Sequence, residues 1–168
     1  MRILKKNLVI KFLKIITLII IIFSNSIAFA AVSSFVGAKN WDSTQQRVPT
    51  GVLFNPNGTK MYSTGISQNK IYMYNLTTPF TVTTATYASK LCSLVDEHDA
   101  LMFRFNSNGT AIFVLDTLAT ETIDKYSLTT PYDISTCSFV AGSSQDFGGG
   151  LEMRSFAFSN DGQKIFIF

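Results

Sequence analysis

The densest set of groups able to do chemistry is Asp96-Glu97-His98-Asp99, three carboxylates beside the only histidine in the chain. Carboxylate oxygens are what a hard divalent cation takes as ligands, and a carboxylate with an imidazole can pass protons. Neighbouring side chains in a loop point in different directions, so the plainer reading of these four residues is a solvated loop. A single histidine with no Ser or Cys nucleophile motif argues against a catalytic triad, and no catalytic residue is assigned. Arg104 follows Leu53 by 51 residues and Arg154 follows Arg104 by 50, both among aromatics, so the two arginines read as counterparts. Such guanidinium groups either pair with loop carboxylates or recognise an anionic ligand. Gly148-Gly-Gly150 would suit a phosphate loop only if a helix and a Lys-Ser/Thr pair followed, and neither does.

The elements that carry these groups come from a repeat. Phe54-Asn-Pro-Asn-Gly-Thr-Lys-Met-Tyr62 returns as Phe105-Asn-Ser-Asn-Gly-Thr-Ala-Ile-Phe113 and as Phe158-Ser-Asn-Asp-Gly-Gln-Lys-Ile-Phe166. Gly58, Gly109 and Gly162 are 51 and then 53 residues apart, a spacing that signals a repeat architecture. Asn57-Gly58, Asn108-Gly109 and Asp161-Gly162 suit a tight two-residue type I′ turn, and apolar residues alternate on either side, so each copy predicts a hairpin. Two copies continue into a second strand pair. Tyr74 matches Tyr126, and Leu76-Thr-Thr-Pro-Phe80 matches Leu128-Thr-Thr-Pro-Tyr132. Four strands in about fifty residues make one blade of a β-propeller.

The formal charge of +3 conceals an uneven distribution. Residues 1–30 hold five bases and no acid, which leaves nine bases against eleven acids in the rest, a net of −2. A mildly acidic body offers no basic surface for phosphate backbones and disfavours nucleic acid as a partner. The basic start, the apolar run Ile15–Phe23 and the small-residue site Ala28-Phe-Ala30 have the order of a signal peptide cleaved after Ala30. This nine-residue run, apolar but for Thr17, is short of the roughly 18 that span a bilayer, so no stable membrane span is expected after cleavage. The expected location is secreted, periplasmic or cell-surface. An exported chain can join Cys92 to Cys137, but Cys137 aligns with Ala85 rather than with Cys92, which leaves their approach undecided. Asn57, Asn75 and Asn108 each open an Asn-x-Thr glycosylation pattern, two of them merely in the turn.

Laid over the repeat, the chain is expected to be an all-β, incomplete propeller of antiparallel four-stranded blades after a signal peptide at 1–30. It would hold an outer strand at 33–37, blades at 49–88 and 100–140, and a partial blade at 152–168. With about 2.5 blades it reads as the front of a longer protein, able to self-associate through its incomplete blades. Links at 67–69, 96–99, 117–121 and 145–152 would share one face.

The Phe-x-x-x-Gly-x-x-x-(Tyr/Phe) core with its Leu-Thr-Thr-Pro-(Phe/Tyr) continuation resembles the secreted YVTN-type and lactonase-like propeller repeats over nearly all of residues 33–168. That resemblance implies a fold and little about activity, because one fold hosts many functions. The leading expectation is an exported, non-catalytic module that binds a protein, a glycan or another surface ligand. The alternatives are a lactonase-like propeller enzyme working from Asp96, Glu97, His98 and Asp99, or a truncated product without activity of its own; no cofactor is expected, a divalent cation at those four residues being the one alternative.

Overall fold

Alternating apolar residues around a turn glycine bury one side of a hairpin against its neighbour, and the chain does this repeatedly. The computed structural model describes residues 38, 45, 48–66, 68–95, 100–116, 121–147 and 153–168, all within one compact unit, Gly37–Phe168. The expected leader, the strand at 33–37, the Asp96–Asp99 loop and Gly148–Gly150 lie outside the described residues. No helix among the described residues is long and apolar enough to cross a membrane.

The fold is all-β and antiparallel. A first sheet has the order β1 (Pro49–Phe54), β2 (Lys60–Gly65), β3 (Lys70–Leu76), β4 (Ala85–Ser93). A second has β5 (Ala100–Phe105), β6 (Ala111–Asp116), β7 (Thr122–Leu128) and β8 (Cys137–Phe139), with β9 (Gln145–Asp146) also paired to β7. A third is the hairpin of β10 (Phe156–Phe158) and β11 (Ile165–Ile167).

The outermost strands differ. In the first sheet β4 follows the whole of β3 by means of a bulge at Ala88–Ser89, where Ser89 has φ +55°. That bulge carries the strand to Ser93, past the expected end at residue 88. In the second sheet the same coverage is split, β8 on the lower half of β7 and β9 on the upper, around a turn at Gly142. Gln145 and Asp146, expected in a link, are therefore strand residues.

Side-chain alternation sorts the core into layers. Tyr62, Ile71, Met73 and Cys92 of the first sheet pack with Phe103, Ile112, Val114 and Tyr126 of the second. Met102, Leu115 and Ile123, on the second sheet's other side, pack with Met153 and Phe156. Burying a side chain the size of Phe103 stabilises by roughly 1.5–3 kcal/mol, and Phe103 is 1% exposed.

The turns are not the two-residue type I′ expected. Gly58 and Gly109 have φ of +69° and +73°, but Asn57 and Asn108 are not left-handed. The Gly58 N–H donates to the Asn55 carbonyl at 3.0 Å and the Asn55 N–H to the Lys60 carbonyl at 3.1 Å. This is a type I turn, with Pro56 where that turn favours proline, followed by one left-handed glycine. The side chains decide it: Asn55 Oδ1 accepts from the Lys60 N–H at 2.9 Å, and Asn57 Oδ1 accepts from the Thr59 N–H and hydroxyl at 3.2 and 2.7 Å. Asn106 and Asn108 repeat these bonds. An Asn at the first and third positions of the turn favours this longer loop.

The two sequence motifs occur together because one sits on the other. The Phe80 N–H donates to the Gly58 carbonyl and the Tyr132 N–H to the Gly109 carbonyl, both at 2.9 Å. A Cβ on Gly58 would come within 2.4 Å of the Phe80 ring, and one on Gly109 within 2.3 Å of the Tyr132 ring. Phe80 and Tyr132 themselves hold φ of +57° and +59°, a conformation bulky residues rarely adopt and one the docking must sustain.

Candidate functional site

The inner strands of the first two sheets each begin with an irregularity. In β1 the pairing skips Thr50, running from Pro49–Gly65 to Gly51–Thr64. In β5 it skips Leu101, from Ala100–Asp116 to Met102–Leu115. A bulge re-aims the side chain it carries. Thr50 and Leu101 both lie eight residues before their turn glycine, and the residue eight before Gly162 is Arg154. These three equivalent residues line one cleft of about 340 Å³, together with Gly51, Arg104 and Ser155. Gly51 admits the close approach of β1 and β5: a Cβ there would lie 3.0 Å from Thr64 and 3.5 Å from the Met102 Cα.

The structure thus brings Arg104 and Arg154 together but corrects their relationship. Counted from the turn glycines, Arg104 corresponds to Leu53 and Ala157, and Arg154 to Leu101. They enter the cleft from non-equivalent positions. Arg154 is exposed and Arg104 partly buried. The Thr50 hydroxyl donates to the Ala100 carbonyl at 3.0 Å, tying the inner strands of the first two sheets. Two guanidinium groups with hydroxyls beside them can hold a carboxylate, sulfate or phosphate.

Of the residues singled out for a shared face, Glu121 is partly buried and Gln68 accepts a hydrogen bond from the Tyr72 hydroxyl. Asp96, Glu97, His98 and Asp99, the expected cation or acid–base set, lie outside the described residues. Among the described residues no three of His, Cys, Asp and Glu gather closely enough to hold a metal ion. Sequence reasoning missed Asp116 and Asp124, which are 1% and 5% exposed. Val114 pairs with Asp124 and Asp116 with Thr122, so both carboxylates share the side of the second sheet that faces the first. The available signal was a break in pattern, since Gly65 and Tyr72 stand at the matching places in the first repeat.

The strongest electrostatic effects lie at the seam between the first two sheets. Burial pushes the Tyr62 hydroxyl well above the ordinary tyrosine range, with Asp133 and Tyr132 adding to the shift. That hydroxyl donates to the Tyr132 carbonyl at 2.7 Å. At Asp133, partial burial is the largest influence and raises the pKa, but hydrogen bonds from Lys90 and Ser135 and the Lys90 charge together hold it below the usual value. Cys92 and Cys137 form a disulfide, with their Cα atoms 5.8 Å apart. Their non-equivalence is what allows it. The upper half of β4 runs beside the turn Ile134–Thr136 of the next sheet, so Lys90 meets Asp133 and Cys92 meets Cys137.

No protein-family model matches the chain, and no curated protein matches it.

Proposed function

We propose that the chain is part of an exported β-propeller that works as a non-catalytic binding module, taking an anionic group of a glycan or protein into the cleft of its inner strands. One observation carries this reading: Thr50, Leu101 and Arg154, equivalent in three successive repeats, line one cleft. Inner strands arranged around a common axis produce that convergence, and ligands enter propellers along such an axis. The two arginines give the cleft its selectivity for negative charge. The resemblance to secreted propeller repeats and the basic–apolar–small start support export. N-terminal sequencing of secreted material should begin at or near Ala31.

The binding experiment is a titration of the disulfide-intact chain with a sulfated oligosaccharide, a polyuronate and a neutral glycan of equal length. Saturable binding of an acidic glycan, weakened by salt and lost in the Arg104→Ala/Arg154→Ala double variant, is expected. Equal binding of the neutral glycan, or a double variant that binds as well as the parent, sinks the reading.

A lactonase-like enzyme is the second reading, and Asp116 and Asp124 are what favour it. Val114 pairs with Asp124 and Asp116 with Thr122, so this end of the sheet carries two buried carboxylates. Lactone hydrolysis stimulated by a divalent cation and lost in Asp124→Asn would replace the first reading with this one.

A further inference from the structure

Asn57-Gly58 and Asn108-Gly109 are dipeptides whose side-chain amide is chemically labile, because a glycine has no Cβ to shield its own nitrogen. That nitrogen can attack the asparagine Cγ. An N–C bond forms, the Cγ–Nδ2 bond breaks, and the glycine N–H proton ends on the departing nitrogen, which leaves as ammonia. Water then opens either carbonyl of the cyclic imide, giving aspartate or the backbone-lengthened isoaspartate. The folded turns oppose the first step. The Gly58 N–H donates to the Asn55 carbonyl at 3.0 Å and the Gly109 N–H to the Asn106 carbonyl at 3.1 Å, which ties down the proton that must leave. Asn57 and Asn108 hold the third position of a type I turn, where ψ is roughly 0°. That torsion points the next nitrogen away from the side chain, whereas ring closure needs the two nearly eclipsed. The amide oxygens are held too, Asn57 Oδ1 by the Thr59 N–H and hydroxyl and Asn108 Oδ1 by those of Thr110 at 3.1 and 2.6 Å. Gly58 and Gly109 are buried against the Phe80 and Tyr132 rings, while Asn57 and Asn108 are exposed to water.

We infer that Asn57 and Asn108 are gated sites of deamidation, kept intact while Phe80 and Tyr132 sit on their turns and converted when a hairpin opens locally. The two products have opposite consequences. Aspartate fits the turn, because the third hairpin is built with one: Gly162 has φ +69°, and Asp161 Oδ1 accepts from the Ser159 hydroxyl at 2.5 Å and the Gln163 N–H at 3.0 Å. Isoaspartate adds an atom to the main chain just before the glycine. It displaces the Gly58 carbonyl that receives the Phe80 N–H, or the Gly109 carbonyl that receives the Tyr132 N–H. A turn so lengthened does not close again in register. The conversion is one-way, and local opening rather than global unfolding sets how long the chain keeps its native hairpins.

The test incubates the disulfide-intact chain, folded and in guanidinium chloride, at one pH and temperature, and follows each asparagine by peptide mapping. Methyl transfer by a protein isoaspartyl methyltransferase reads the isoaspartate. Amide loss at both sites is expected in the denatured chain and at least about tenfold more slowly in the folded one, since modification then tracks the open population. A folded Phe80→Ala chain should lose the Asn57 amide severalfold faster than the parent, with Asn108 at its parent rate. Equal rates in the folded and denatured chains overturn the inference, as do amides that stay intact in both. Phe80→Ala that speeds both sites alike, or neither, also overturns it, because opening beneath the ring would then not be the gate.

Discussion

Two seams built from the same repeat are held in different ways. Between the first and second sheets, apolar packing is reinforced at the outer strands by the Cys92–Cys137 disulfide, the Lys90–Asp133 pair, the Tyr62 hydroxyl on the Tyr132 carbonyl, and the Val95 N–H on the Tyr126 hydroxyl at 3.0 Å. Between the second sheet and the third hairpin, the described contacts are mainly apolar: Phe113 on Phe158, Leu115 and Ile123 against Phe156, and the Phe156 N–H on the Met102 sulfur at 3.3 Å. Apart from the Tyr62 hydroxyl on β2, the Tyr126 hydroxyl on β7 and the Thr50 hydroxyl on β1, the groups that make these ties come from the end of β4 and from the Tyr132–Cys137 segment that leads into β8. Inner hairpins align the repeats, and outer strands fasten them. Stability should therefore fall from the first seam to the second, with the third hairpin opening at the lowest free energy.

The largest effect expected is from removing the disulfide. It closes a loop of 45 residues, and loop-closure entropy puts its contribution at about 4 kcal/mol. Cys92→Ser/Cys137→Ser should lose that much in denaturant unfolding. It should also lower amide-exchange protection in β3, β4, β7 and β8 while leaving Phe156–Ile167 unchanged. An equal loss of protection in the third hairpin would show that the two seams open together.

The next contrast sets two glycines against each other. Gly109→Val places a β-branched residue at positive φ and drives it into Tyr132, for a combined loss of about 3 kcal/mol. Gly162→Val meets the same backbone strain with open space around it, so about 1–2 kcal/mol is expected. Equal losses at the two positions, measured by thermal or denaturant unfolding, would mean that the aromatic docking does not matter and only the turn does.

Much of this was legible in the sequence because period-two alternation and turn glycines are local signals. The spacing of Gly58, Gly109 and Gly162 placed the first hairpin of every repeat, and Leu-Thr-Thr-Pro marked the same point in both complete repeats. The turn type was not legible from Asn-Gly alone, because Asn55 and Asn106, two residues earlier, set the longer loop with their side chains. Arg104 and Arg154 were matched by counting fifty residues, whereas the 53-residue spacing between Gly109 and Gly162 shifts the true register by three. The disulfide was undecided for a similar reason. Comparing equivalent positions cannot show that a bulge at Ser89 swings the upper half of β4 against the neighbouring sheet. Asp116 and Asp124 are strand residues whose burial depends on how two sheets stack, and no local pattern encodes that.

Tyr62→Phe gives the first seam the residue that the second carries naturally at Phe113. The variant deletes the hydroxyl that reaches the Tyr132 carbonyl and nothing else, so a loss of about 1 kcal/mol is expected. Because burial raises the Tyr62 pKa far above neutrality, the hydroxyl stays protonated and the loss should be constant from pH 5 to 9. A neutral substitution would show that apolar packing alone holds this point, as it does at Phe158.

The smallest effect belongs to Asp133, and pH separates its charge from its geometry. The carboxylate accepts from the Ser135 N–H at 3.2 Å and hydroxyl at 2.6 Å besides pairing with Lys90. Asn at this position can keep the Ser135 bonds while losing the charge, and the Lys90 side chain is 39% exposed. Solvent screening then limits the expected loss in Asp133→Asn to less than about 1 kcal/mol at neutral pH. The folded pKa lies below the ordinary 3.8, so the charge contribution is fully present above 3.8 and disappears as pH falls through the folded value. The stability gap between parent and variant, measured by urea unfolding, should stay constant from pH 7 to about 4 and shrink as the pH falls further, through the lowered folded pKa. A gap that persists unchanged into strong acid would assign the loss to the Ser135 turn rather than to Lys90. The outer-strand fastening of the first seam would then rest on the disulfide and the Tyr62 and Tyr126 hydroxyls, with no ionic part.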